Sequence, residues 1–218
     1  MNLRDATGLT DSSLWYVVRA MQLGLIGIAT YGLVTVDLAL TVNALLSLSV
    51  TLAPEFVKWR YGHTMDASLA LWISTAAFLH SIGALGPYES VPGYDIITHT
   101  LTATLVAGVG YALVEALDES SDAVDFPSEF RFLFIVVFVL AFGVVWEIAE
   151  FAAGGVGTLF GGQEVLTQYG MRDTVLDFVF DGLGAVAVAL WGTGAFDGVA
   201  TVLSRGVAGV FGRQGEDG

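Results

Sequence analysis

The chain has 218 residues, of which 55% are hydrophobic and only 14% charged, and its mean hydropathy is +0.71. This composition is too apolar for an ordinary soluble domain and indicates an integral membrane protein. The formal net charge of -14 resembles the acidic surfaces of proteins from salt-loving organisms, and we expect no nucleic-acid partner.

Six apolar segments are each long enough to cross a hydrocarbon core of about 30 Å, which needs roughly 20 helical residues. They cover residues 15–34, 38–56, 67–85, 94–115, 130–153 and 174–193. The first two are separated only by a short break at Asp37, but one continuous helix would be about 60 Å long, so the chain must turn there. No removable signal peptide is recognisable. We predict an all-α integral membrane protein forming one transmembrane domain over residues 1–218, with residues 196–213 as a weakly amphipathic helix on the inner surface.

The basic residues predict the orientation, because Lys and Arg favour the cytoplasmic side of a membrane. On a six-span path, seven of the eight lie on one side: Arg4, Arg19, Lys58, Arg60, Arg131, Arg205 and Arg213. Arg172 alone lies on the other side. We therefore expect both termini in the cytoplasm and a multi-pass protein of the plasma (inner) membrane.

Acidic and histidine side chains then converge near the outer surface. On this path the outer level contains Asp37, His80, Asp95, His99, Glu147, Glu150, Asp173, Asp177 and Asp181. Within each helix their spacing of three or four residues puts them on a single face. Seven carboxylates meet one arginine and two histidines, so some of them must be protonated, hydrated or bound to a cation.

Simpler roles remain open for several of these residues. Asp95 and Asp173 are placed to complement the dipoles of helix N-termini, and Glu150 is close enough to the interface to be solvated. His80 alone is also typical of a hydrogen-bonded interior histidine. We predict that the acidic stretch 115–129 is a solvated linker, with a cation- or partner-binding role as the alternative. We predict that the glycine-rich segment 154–170 is a lid or a re-entrant loop over the site.

Several enzyme classes do not fit the residues. The spacing of Gly170, Asp173, Asp177 and Asp181 echoes half of the aspartate motif of CDP-alcohol transferases, but the other half is absent. A retinal protein needs a lysine in its last span, whereas Lys58 lies in a loop. The lysine, arginine and histidine of membrane acid phosphatases have no counterpart.

Three motifs carry a family resemblance: FLHSIGALGPYESVPGYDIITH, VVWEIAEF and QYGMRDTVLDFVFDGLGA. Together they resemble the YjdF-like inner-membrane proteins, a polytopic helical family without an established biochemical role. The order of acids and histidines is more loosely similar to VanZ-like proteins, although the pair Glu147 and Glu150 and the longer glycine-rich loop depart from that pattern. The resemblance implies motif residues at His80, Asp95, His99, Glu147, Glu150, Asp173 and Asp177.

Three functions remain as hypotheses. The first is an enzyme acting on a lipid headgroup or a lipid-linked substrate, with a divalent cation held by ligands from the set Asp95, His99, Glu147, Glu150, Asp173 and Asp177. For such an enzyme, the candidate catalytic groups are His99, Glu147 and Asp177. Further motif residues are Arg172 and Asp181. The cation would be Mg²⁺, Mn²⁺ or Ca²⁺, with Zn²⁺ less favoured, since the chain has no cysteine and its oxygen ligands suit hard ions, although an imidazole ligand tilts the choice toward Mn²⁺ or Zn²⁺. The alternatives are a proton- or cation-coupled transporter and a non-catalytic assembly protein, with membrane lipids as the expected partners in every case.

Overall fold

The structure is a computed structural model that describes residues 10–119, 126–159, 170–191, 199–200 and 203–204. Its regular elements are all α-helices within these ranges, which confirms the all-α prediction. The bounds are α1 Asp11–Thr35, α2 Leu38–Thr51, α3 Ala53–Tyr61, α4 Ala67–Gly83, α5 Pro87–Ser90, α6 Tyr94–Glu119, α7 Ser128–Leu159 and α8 Met171–Trp191.

The predicted turn at Asp37 is confirmed. Val36 adopts the left-handed conformation with φ of 59° and ends α1. Asp37 then starts α2, and its Oδ1 accepts a hydrogen bond of 2.9 Å from the backbone N–H of Leu40. Asp37 is therefore a helix cap, which satisfies an N–H group that the helix itself leaves unpaired.

The second predicted span, 38–56, is wrong as a single helix. α2 ends at Thr51 and α3 begins at Ala53, and the two helix axes are bent by 44°. Pro54 has no backbone N–H and cannot continue the helical hydrogen bonds of α2. The carbonyl of Thr51 instead accepts a 3.1 Å hydrogen bond from Nε2 of Gln22, a buried side chain of α1.

The other four predicted segments each correspond to one helix, with shifted ends. α4 is shorter than predicted, whereas α6 extends to Glu119 and α7 begins at Ser128. α7 also continues to Leu159, so the first residues of the proposed lid 154–170 are helical. Residues 160–169 lie outside the described part of the chain, as does most of the proposed surface helix 196–213. Of that tail, Ala200 is buried against Leu69 of α4 and Ala112 of α6.

The acidic stretch 115–129 is more than a solvated linker. Nη1 of Arg131, in the first turn of α7, lies 2.9 Å from Oε2 of Glu115. Nη2 of the same guanidinium pairs with Asp118, and its Nε donates to the carbonyl of Phe126. These contacts hold the end of α6 next to the start of α7. Residues 120–125 are outside the described ranges.

The helices form two packed groups. α1, α2 and α4 contact one another, as do α6, α7 and α8, and α4 joins the two groups by packing against α6. The second group has an apolar core of Ala103, Ala107, Ile135, Val139, Ala185 and Val188. A Cβ at Gly184 of α8 would lie 3.2 Å from the Thr100 carbonyl of α6, so this glycine permits the close approach of α6 and α8.

Membrane-crossing length is clearest in three of the described helices: Asp11–Thr35, Tyr94–Asp118 and Ser128–Ala149. The bent pair α2 and α3 would add a fourth span, and α4 is apolar but has only 17 residues. α8 carries four charged residues in its first half, at positions 172, 173, 177 and 181. The six-span count and the orientation of the termini therefore stay predictions.

Candidate metal centre

The imidazole of His99 lies among three carboxylates. Its Nε2 is 3.6 Å from Oδ1 of Asp95, one turn earlier on α6. Its Nδ1 is 3.8 Å from Oδ1 of Asp177 and also 3.8 Å from Oδ1 of Asp181, both on α8. We call these four residues the His99 cluster. The structure thus brings together one histidine and three acids from two helices. His99 and Asp177 are 78 residues apart in the sequence.

Local helical geometry aligns each half of the cluster. Residues four apart share a face of an α-helix, so Asp95 lies beside His99 and Asp177 lies beside Asp181. Asp95 is in the first turn of α6, where its charge also complements the helix dipole. The close packing of α6 on α8 then turns the two faces toward each other.

A third helix closes the cluster without adding a side chain. A Cβ built on Gly143 of α7 would lie 3.0 Å from Oδ2 of Asp181 and 3.1 Å from the ring of Phe178. A larger residue at this position would require Asp181 or Phe178 to move by a few tenths of an ångström. Gly143 therefore has a steric role in the site as well as in helix packing.

Burial makes the excess of negative charge expensive. Asp177 is 4% exposed and Asp181 8% exposed, and the side chain of His99 is 18% exposed. With three ionised carboxylates, the cluster has a formal charge of minus two when His99 is protonated and minus three when it is neutral. Charged groups removed from water need compensation, so the buried charge of the cluster needs protons, bound water or a cation.

The spacing of the donor atoms suits a cation. One ligand atom each from Asp95, His99 and Asp177 can be chosen so that all three lie within 4.8 Å of one another. Two ligands of one ion, each about 2.1–2.5 Å from it, lie about 3–5 Å apart. The separations of 3.6–3.8 Å around His99 are also ion-pair distances, so protonation of His99 is the alternative to a cation.

The two nitrogens of His99 divide the carboxylates between them. A single ion can bind only one nitrogen of an imidazole ring, and the other nitrogen then commonly faces a carboxylate that orients the ring. If the ion binds Nε2 together with Asp95 and Asp177, then Asp181, 3.8 Å from Nδ1, is the carboxylate left to orient the ring.

Glu147 is not one of the three residues whose ligand atoms lie within 4.8 Å of one another, but it is bonded to α8 next to them. Its Oε2 accepts a 2.8 Å hydrogen bond from the hydroxyl of Thr174, one turn before Asp177 on α8. Arg172 is exposed. The side chains of the other two predicted ligands, Glu150 and Asp173, lie outside the described part of the structure. Asp181, which the sequence indicated only as a motif residue, is as close to His99 as Asp177 is.

His80 belongs to a separate, hydrogen-bonded network, as the interior-histidine alternative predicts. Its Nε2 is 3.1 Å from Nδ2 of Asn43, and its Nδ1 is 2.8 Å from the hydroxyl of Tyr88. The Tyr88 hydroxyl donates to Thr98 over 3.4 Å, and Thr98 donates to the Asp95 carbonyl over 2.9 Å. The amide of Asn43 can only donate through its nitrogen, so Nε2 of His80 accepts, and Nδ1 is the protonated nitrogen of a neutral ring.

Sequence reasoning missed the partners in this network. Asn43 is a lone amide in an apolar segment, and its 6% exposure together with its bond to His80 shows why it is tolerated there. Gly83 is required next to Tyr88, because a Cβ at Gly83 would overlap the tyrosine ring. A signal for Asn43 was present: a buried amide in a membrane helix normally bonds to a partner on another helix.

The comparisons with known proteins identify the family. A family model described as "Predicted membrane protein (DUF2238)" matches residues 15–198. The chain belongs to this family. The YjdF-like resemblance falls in the same family and is confirmed. The match includes every residue of the His99 cluster.

One curated relative is an "Uncharacterized protein" of Thermotoga maritima, which is 32% identical over 122 residues. That match covers 55% of this chain and 58% of the relative, so the chain spans little more than half the length of this relative. No solved structure matches the chain. The family therefore establishes a membrane protein, and the chemistry of the site has to be argued from its geometry.

Proposed function

We propose that this protein is a membrane enzyme that uses a divalent cation at the His99 cluster to act on a lipid headgroup or a lipid-linked substrate. The observation that carries the proposal is the convergence of ligand atoms from Asp95, His99 and Asp177 within 4.8 Å. The mixed set of one imidazole and several carboxylates favours Mn²⁺, with Mg²⁺ or Ca²⁺ next and Zn²⁺ less suited.

The location of the cluster supports a substrate that arrives from the lipid. Asp95 and His99 belong to a helix of membrane-crossing length, and Asp177 and Asp181 are buried against it. A bound cation would act as a Lewis acid on an ester or phosphoryl oxygen. Glu147, whose Oε2 accepts a hydrogen bond from Thr174 one turn before Asp177, would accept a proton from an attacking water or hydroxyl.

A proton- or cation-coupled transporter is the second candidate. It is favoured by the hydrogen-bonded chain His80, Tyr88 and Thr98, which leads from a neutral imidazole to the backbone of Asp95. Chains of histidine and acidic groups inside membranes also serve as proton relays. In this case the excess charge of the His99 cluster is compensated by protons or a transported cation.

Binding of Mn²⁺ tests the shared premise. Purified protein in lipid nanodiscs should bind the ion in a saturable manner, measured by the loss of the free Mn²⁺ signal in electron paramagnetic resonance. Asp177→Asn should weaken binding by at least about tenfold, since even outer partners of metal sites contribute that much. Asp37→Asn is the matched control, because asparagine caps a helix as well as aspartate does.

Lipid analysis then separates the two functions. Nanodiscs containing mixed phospholipids and Mn²⁺ should accumulate a new lipid or a released headgroup with the wild-type protein and not with Asp177→Asn. If Mn²⁺ binds but no lipid changes in any mixture, the enzyme proposal is wrong. Ion-dependent proton flux in proteoliposomes, lost in Asp177→Asn, would then support the transporter.

A further inference from the structure

The short helix α3 presents a basic and aromatic surface. Phe56, Lys58, Trp59, Arg60 and Tyr61 are all exposed, and Trp59 is 79% exposed. Lys58 is the single lysine of a chain with a net charge of -14. We call these five residues the α3 patch. An exposed cluster of this composition is unusual in so acidic a protein and suggests a ligand of negative charge.

When α2 and α3 cross the membrane as one broken span, the α3 patch lies at the depth of the lipid headgroups. The 14 residues of α2 rise about 21 Å. The 9 residues of α3, inclined by 44°, add about 10 Å in the same direction. The sum is close to the hydrocarbon thickness of about 30 Å, so the end of α3 reaches the membrane interface when the pair crosses as one broken span.

Within the described part of the chain, the two acids nearest the patch in sequence have other partners. Glu55, the only acid of α3, lies 2.7 Å from Nη2 of Arg19 on α1. Asp66 caps α4 by accepting a 2.8 Å hydrogen bond from the backbone N–H of Ser68. The guanidinium of Arg60 lies 5.3 Å from the ring centre of Tyr61. Lys58 and Arg60 therefore provide an excess positive charge at the end of α3.

We propose that the α3 patch binds the headgroup of an anionic phospholipid. Interfacial tryptophan and tyrosine rings lie at headgroup depth, and lysine and arginine side chains extend from the apolar region toward phosphate groups. A headgroup with a net negative charge is attracted by both basic residues, whereas a zwitterionic headgroup has no net charge to attract. The proposal is independent of the chemistry at the His99 cluster.

Native mass spectrometry of the full-length protein tests the proposal. Protein equilibrated with equal amounts of phosphatidylglycerol and phosphatidylcholine should retain phosphatidylglycerol preferentially. The variant Lys58→Gln/Arg60→Gln should lose that preference by about tenfold or more, because each basic residue contributes separately. The variant Lys58→Arg/Arg60→Lys preserves both charges and should retain the preference.

A second double variant, Arg205→Gln/Arg213→Gln, removes the same charge from the C-terminal tail and should bind as the wild type does. A thermal melt of each variant checks that it is folded, and the single variants Lys58→Gln and Arg60→Gln replace the double variant if it is not. The proposal is wrong if the wild type shows no preference for phosphatidylglycerol. It is also wrong if the α3 substitutions leave that preference unchanged, or if the tail substitutions reduce it equally.

Discussion

Asp177→Asn should remove most of the stabilisation that a divalent cation gives to this protein. Oδ1 of Asp177 lies 3.8 Å from Nδ1 of His99, and the residue is 4% exposed. The substitution preserves the volume of the side chain while replacing a charged ligand by a neutral amide. It should therefore change ion binding far more than it changes packing.

The expected size follows from the linkage between binding and folding. At an ion concentration 100 times Kd, binding to the folded state alone adds about 2.7 kcal/mol to the free energy of unfolding. On the scale of soluble chains of this length, about 2–4 °C per kcal/mol, this raises Tm by roughly 5–10 °C. If the substitution weakens binding 100-fold, the ion concentration equals Kd, and the gain falls to about 0.4 kcal/mol, or about 1 °C.

Thermal unfolding in detergent, with Mn²⁺ or with a chelator, measures this difference. The stabilisation of the wild type by Mn²⁺ should increase between pH 6 and pH 8, because the ligands bind the ion in their deprotonated forms. Asp37→Asn should keep the full response, since Asp37 caps α2 and has no part in the cluster. An unchanged response in Asp177→Asn, or no stabilisation of the wild type by any divalent ion, would refute the metal assignment.

Three further predictions concern packing and topology. Gly143→Ala should weaken Mn²⁺ binding, because its Cβ would lie 3.0 Å from Oδ2 of Asp181 and displace that carboxylate. Gly182→Ala, with no atom within 4 Å, should leave Mn²⁺ binding unchanged and raise the free energy of unfolding by about 0.5–1 kcal/mol, because alanine favours a helix over glycine; Gly143→Ala should not show this gain in the same melts. Gln22→Ala should lower the free energy of chemical unfolding by about 1–3 kcal/mol, because it leaves the Thr51 carbonyl at the bend without its donor. Leu23→Ala, at an exposed neighbouring position, should change stability little. Equal effects of the two variants would contradict the role assigned to Gln22. In oriented vesicles, an impermeant maleimide should label Glu89→Cys from outside and Lys58→Cys from inside; the opposite pattern would overturn the predicted orientation.

The sequence by itself determined the class of the protein and the faces of its helices. The length and apolarity of the segments required membrane helices, and the polar break at Asp37 required a turn within the first 40 residues. The spacing of Asp95 and His99, and of Asp177 and Asp181, placed each pair on one side of its helix. These properties are local, because they depend on residues within a turn or two of one another.

Only the tertiary structure decided which of these faces meet. Spacing sets the direction of a side chain around its own helix, but it does not identify the neighbouring helix that the side chain faces. In a membrane, apolar helix surfaces are nearly equivalent, so small residues such as Gly184 and individual polar contacts select the neighbours. The sequence had put His99 and Asp177 in one candidate ligand set, whereas the equal closeness of Asp181 to His99 and the bond of His80 to Asn43 emerged only from the packing. The bend after Thr51 was missed because the long apolar segment masked the effect of Pro54, and its stabilising partner Gln22 lies 29 residues away on another helix.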